Sequence, residues 1–182
     1  TVVTHILIAD FELKSIAAMA GTIAGVVIAG LIAVVFGKTS HITGMNVNEI
    51  ETLMYVGQNS KLDIGGMLFS GILISSMGAV MDVAMSVSSS LNEINTKIPD
   101  ITQKELFKSG ITIGRDMIGT MANTLILAYV GGSINLVMII YAYSYQIHQI
   151  INMYSIGIEI MKGIAGTMGI VLTVPFTSLI TS

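Results

Sequence analysis

Asp82 stands inside a long apolar run, and an acid in such a place is the side chain best able to do chemistry. Gly71, Ser75, Gly78, Asp82, Ser86, Ser89 and Glu93 follow one another at steps of four, three, four, four, three and four. That spacing puts all seven on one face of a helix. The stripe is roughly 33 Å long at 1.5 Å per residue, about the thickness of a bilayer's hydrocarbon core, and Asp82 lies at its middle. A carboxylate at mid-bilayer costs on the order of 3 kcal/mol on insertion scales, so it must face protein or water and find a partner. The chemistry it offers is uptake and release of a proton or cation. The structural alternative is a neutral carboxyl hydrogen-bonded to a neighbouring helix.

A second polar face lies downstream. Thr112, Asp116, Thr120 and Asn123 share one side of a helix, and Arg115 is rotated about 100° from Asp116, with Gly119 and Ala122 above it. If the connecting turn is centred between Ile98 and Pro99, Asp82 comes level with Arg115 and Gly78 with Gly119. Two glycines at one depth permit close contact, and an Asp–Arg pair at the next neutralises both charges. Asp82, Arg115 and Asp116 are therefore the expected coupling residues, with Ser86, Ser89, Glu93, Thr120 and Asn123 lining a path. For Arg115, snorkelling to the interface is the alternative.

Other chemistries find no support. Cys is absent, which removes thiolate metal sites and thiol nucleophiles. His5, His41 and His148 are scattered without metal-ligand spacing, so no metal site is expected. No zinc-protease, nucleophile-elbow, phosphate-loop or dinucleotide fingerprint occurs. Ser86 to Ser90 has no base nearby in sequence, and Asp82 with Asp116 lacks the flanking motifs of an aspartyl intramembrane protease. No catalytic residue and no cofactor is expected, and the expected role is not enzymatic. A net charge of −3 disfavours nucleic acid as a partner.

The elements that must carry these residues follow from composition. The 182 residues are 53% hydrophobic and only 10% charged, with a mean hydropathy of +0.82. A soluble domain is about 25% charged, so this chain has too few charges to coat a soluble surface. It reads as an integral membrane protein of all-α class, a polytopic bundle of about four spanning helices plus a short broken or interfacial helix. The expected spans are 15–36, 64–94, 105–130 and 156–180, within a single transmembrane domain over 1–182. Gly131-Gly132 break the third, and 134–143 is too short to cross alone. The stretch 2–9 is apolar from the outset and reads as the tail of an earlier segment or an interfacial piece. The connector 41–63 is polar and partly amphipathic, with Met45, Ile50, Leu53, Met54 and Val56 on one side and Glu49 and Glu51 on the other. Lys97, Lys104 and Lys108 place 95–108 in the cytoplasm by the positive-inside rule.

Small residues mark the packing faces. Ala17, Gly21, Gly25, Ala29 and Ala33 recur every fourth position, a small-xxx-small stripe that lets another helix come close. Gly78, Gly119 and Gly166 are expected packing positions too, Gly166 lying between Gly163 and Gly169. Pro175 implies a kink late in the last span. Glu159 and Lys162, three apart near the outer interface, read as a surface ion pair or as a vestibule charge.

The residues Gly78-Ala-Val-Met-Asp82-Val, Leu91-Asn-Glu93, Gly114-Arg115-Asp116, Asn123 to Tyr129 with Gly131, and Gly169-Ile-Val-Leu with Pro175-Phe-Thr177 resemble the YibE/F-like multipass membrane proteins. The resemblance runs from about Ser15 to the end. It implies a permease-like protein of a bacterial plasma membrane, and a longer chain of which these residues are the C-terminal part. A fainter likeness, an Asp after Gly-x-x-x in mid-helix with an acid eleven residues on, is similar to resistance–nodulation–division or SecDF-type membrane domains. Met81-Asp82 departs from their paired polar residues there.

The expected function is therefore a transporter or ion/proton-coupled permease using an intramembrane Asp82–Arg115 pair. The alternative is a non-transporting structural or assembly subunit of a membrane complex. The expected partners are the lipid bilayer, further helices of a longer chain or a partner membrane subunit, and a small solute or ion.

Overall fold

The computed structural model describes residues 13–41 and 64–182. The apolar stretch 2–9 and the amphipathic connector residues from Met45 to Val56 lie outside the described residues. Those described form an all-α bundle in six helices: α1 (Leu13–Thr39), α2 (Ile64–Lys97), α3 (Gln103–Gly132), α4 (Ile134–Ala142), α5 (Ile147–Ile151) and α6 (Tyr154–Thr181). Helices α1, α2 and α6 are each long and apolar enough to cross a membrane, and α3 with α4 meets that test as a pair bent by 51°.

Helix α6 is the hub, packing against α1, α2 and α3, while α2 bridges α1 and α3. The reason is side-chain size. Ala165, Gly166, Gly169, Thr173, Thr177 and Ser178 are all buried on α6, and such small side chains let backbones approach where water gives no hydrophobic drive. The α1 stripe meets them in antiparallel register. Gly21 faces Thr177, Gly25 faces Thr173, and Ala29 faces Gly169. Each step of four down α1 is matched by a step of four up α6. Ala33 and Ala165 continue the seam in the cluster with Ile72 and Met161. Two of the hydroxyls in it are satisfied by their own helix: Thr173 Oγ1 donates to the Gly169 carbonyl at 2.7 Å and Thr22 Oγ1 to the Ala18 carbonyl at 2.7 Å. A threonine bonded back to its own helix behaves as a small, nearly apolar residue. Thr177 Oγ1 and Ser178 Oγ are buried with no partner among the described residues. Helix α6 runs on through Pro175 to Thr181.

The main core joins α2, α3 and α6 through Val80, Val83, Val87, Leu91, Leu106, Leu125, Ile170 and Val174. Away from it the chain shows lipid a fatty surface. Ile23, Val27 and Leu31 on α1 are more than half exposed, the reverse of a soluble protein's pattern.

Local signals set the α2–α3 connector. Pro99 cannot donate a backbone hydrogen bond, and α2 stops at Lys97. Thr102 then caps α3: its Oγ1 accepts from the Glu105 backbone N–H at 3.3 Å, and its own N–H donates to Glu105 Oε2 at 3.2 Å. This reciprocal capping box satisfies two donors that the first turn would leave orphaned.

Candidate functional site: the outer face of α2 and α3

The helix face that carries Asp82 points away from the chain's own core. Gly71, Ser75, Gly78, Asp82, Ser89 and Glu93 are exposed and Ser86 is half-buried, whereas Val80, Val83, Val87 and Leu91 on the opposite side are fully buried. Helix α3 behaves the same way. Thr112, Arg115, Asp116, Gly119, Thr120 and Asn123 are all exposed, while Leu106, Gly110, Gly114 and Leu125 face inward. Both sequence-predicted polar faces therefore lie on the outside of the bundle.

Asp82 and Arg115 do not pair. Among the described residues the ion pairs are Glu93–Lys97 at 2.9 Å and Glu159–Lys162 at 2.8 Å. The cause is register. Ser75 Oγ and Tyr129 Oη share a hydrogen bond of 3.2 Å, and Leu91 lies over Gly110. A hairpin centred between Ile98 and Pro99 would instead bring Ser75 level with Ala122 and Leu91 level with Leu106. The observed partners sit seven and four residues further along α3, and the reach of the tyrosine side chain accounts for part of the larger offset. A shift of four residues is about 6 Å, or one helical turn. An apex at Asp100, midway between the end of α2 at Lys97 and the start of α3 at Gln103, accounts for three of those four residues. Asp82 thus comes level with the Gly119–Ala122 turn, and Arg115 lies about one turn nearer the connector.

The predicted packing glycines divide. A Cβ on Gly21, Gly25 or Gly166 would strike a neighbouring side chain, whereas one on Gly78 or Gly119 would meet none of the described residues within 4 Å. Gly78 and Gly119 do not face each other, again for reasons of register and of the outward aim of their faces.

At the other end of α3 the structure gathers residues that the sequence reading left apart. Ser133 ends the helix: its N–H donates to the carbonyls of Tyr129 and Val130 and its Oγ to that of Tyr129 at 2.9 Å. The bend that follows leaves a cleft of about 380 Å³ between α3, α4 and α6, and beside it a second of about 240 Å³. Ser133, Leu136 and Glu159 line both. The Glu159–Lys162 pair, about a quarter exposed, is the charged feature there. The Gly131-Gly132 break and the i,i+3 charges were each visible in the sequence; their meeting required three helices to converge. No group of three or more His, Asp or Glu residues is placed to hold a metal among the described residues.

These features define a polytopic α-helical membrane protein with two polar helix faces that the other described residues leave uncovered. The chain belongs to the YibE/F-like protein family, which matches it over residues 1–182. Searches of curated proteins and of solved structures returned no match, and so no resistance–nodulation–division or SecDF-type relative.

Proposed function

We propose that this chain forms one wall of an ion- or proton-coupled permease in a bacterial plasma membrane, with the path running along the outer α2–α3 face. One observation carries the reading. Six of the seven residues of the Gly71–Glu93 polar stripe are exposed, turned away from the chain's own core, although the stripe is as long as a bilayer's hydrocarbon core is deep. Such a stripe against lipid alone would leave Asp82 with neither partner nor water. Water, a transported ion or another protein surface must therefore meet it. Asp82 takes up and releases the coupling ion at mid-depth. Arg115, one turn nearer the connector, lines the same path without touching Asp82. Ser86, Ser89, Asp116, Thr120 and Asn123 line the way, and 95–108 faces the cytoplasm. The test is uptake or efflux by the chain reconstituted in vesicles. Asp82→Asn and Asp82→Ala should each lower transport at least tenfold. Unchanged transport in both would overturn the reading.

A second reading, a non-transporting assembly subunit, is favoured by the lack of any described residue over Gly71, Gly78 and Gly119. A helix of a partner subunit fits such a face without steric cost. An Asp82→Leu/Arg115→Leu chain that keeps full biological activity would select it.

A further inference from the structure

The paired clefts at the α3–α4 bend form a gradient that matches one kind of molecule. Tyr141, Tyr143, Tyr145 and Tyr154 cluster at this end of the bundle, from 37% to 87% exposed. Tyrosines of this kind mark the membrane–water interface. Glu159 stands five residues into α6 from Tyr154, about 7 Å below that belt, at the base of the headgroup layer. Lys162 is a turn deeper, but helical side chains lean toward the N-terminus. Its Nζ accordingly reaches back up to Glu159 Oε1. From there the larger cleft descends along Gly163, Ile164 and Thr167 of α6 and Tyr129 and Ile126 of α3. Its walls are almost wholly apolar. The smaller cleft at the headgroup level is more polar, with Asn135, Ser155 and Lys162. Glu159 and Lys162 are the charged residues lining either cleft.

We infer that the α3–α4–α6 cleft binds a phosphatidylethanolamine molecule of the surrounding leaflet, its acyl chain beside Gly163 and its headgroup across Glu159 and Lys162. The polar end faces the interface and the apolar end the bilayer centre, which is a lipid's own orientation. The charges choose the headgroup. A phosphodiester accepts from the Lys162 ammonium, and the lipid's primary ammonium donates to the Glu159 carboxylate. Each protein charge exchanges one partner for another of the same sign, so no charge is left unpaired. A purely anionic headgroup would gain Lys162 but meet Glu159. A choline headgroup has no N–H to donate.

The inference is independent of the permease reading. It is tested with the purified, delipidated full chain by native mass spectrometry, using palmitoyl-oleoyl phosphatidylethanolamine, phosphatidylcholine and phosphatidylglycerol in turn. Phosphatidylethanolamine should be retained at least fivefold more than either of the others. A Cβ on Gly163 would meet none of the described residues within 4 Å and would point into the cleft that Gly163 lines, so Gly163→Leu is the variant chosen to fill it. It should bring phosphatidylethanolamine down to the phosphatidylcholine level with thermal unfolding unchanged. Glu159→Gln, a second variant that leaves the cleft open, should shift the preference to phosphatidylglycerol. Equal retention of the three lipids, or wild-type retention in both variants, would overturn the site.

Discussion

Gly25 of α1 and Thr173 of α6 lie so close that the Thr173 hydroxyl occupies the place a Cβ on Gly25 would need. The contact repeats one turn away at Gly21 and Thr177, and one turn the other way at Ala29 and Gly169. This seam, more than any single apolar cluster, sets the distance between the first and last spanning helices.

Enlarging the seam should therefore damage the fold. Gly25→Val or Gly21→Val is expected to cost about 1–3 kcal/mol, the usual range for overpacking, or more where backbones touch. Gly71→Ala and Gly78→Ala, with nothing near their Cβ positions, should stay within about 0.5 kcal/mol or gain slightly from helix propensity. Reversible unfolding in mixed micelles compares the four. Equal losses in both pairs would show that the seam is not a close contact.

The register of that seam is open to a chemical test, since the chain has no cysteine of its own. A Cβ on Gly169 would lie 3.0 Å from that of Ala29, and disulfides need about 3.5–4.5 Å between Cβ atoms. Mild oxidation of an Ala29→Cys/Gly169→Cys chain should give near-complete cross-linking on a slight widening. Val27→Cys/Gly169→Cys, with Val27 on the lipid face, should give none. Cross-linking in the second pair alone would disprove the antiparallel alignment.

Asp82 and Arg115 should be energetically independent within one chain. In a cycle of Asp82→Ala, Arg115→Ala and the double variant, the interaction energy for unfolding of the isolated chain is expected below about 0.5 kcal/mol, as for sites that share no partner. A coupling above about 1 kcal/mol would mean that the two side chains meet after all.

Thr102→Ala removes the hydroxyl that holds the first turn of α3. The expected loss is about 1 kcal/mol, felt locally. Hydrogen exchange at the Glu105 amide, the donor to Thr102 Oγ1, should speed up several-fold while the middle of α3 stays protected. Unaltered exchange at Glu105 would argue that the cap contributes nothing.

The helices and their faces were legible from local rules. A helix makes about two turns in seven residues, which dictates that Gly71 to Glu93 share a side, and a long apolar run dictates a span, whatever surrounds it. The small stripe from Ala17 to Ala33 announced a close partner for the same reason. What no periodicity contains is where one helix stands against another. The step from an apex at Ile98–Pro99 to one at Asp100 moved Arg115 about a turn away from Asp82 and dissolved the expected pair.

Residue types and spacing thus determined that this protein is an all-α membrane bundle with an acid midway along its second long helix, because helix period and transfer from water to lipid depend on neighbours along the chain alone. The tertiary structure decided which face of each helix is covered. It spent the small residues of α1 and α6 on internal packing and turned the polar sides of α2 and α3 outward. It also brought Glu159 and Lys162 against the α3–α4 bend. Those outcomes rest on contacts between segments up to about 150 residues apart, whose geometry is fixed by the simultaneous packing of four helices.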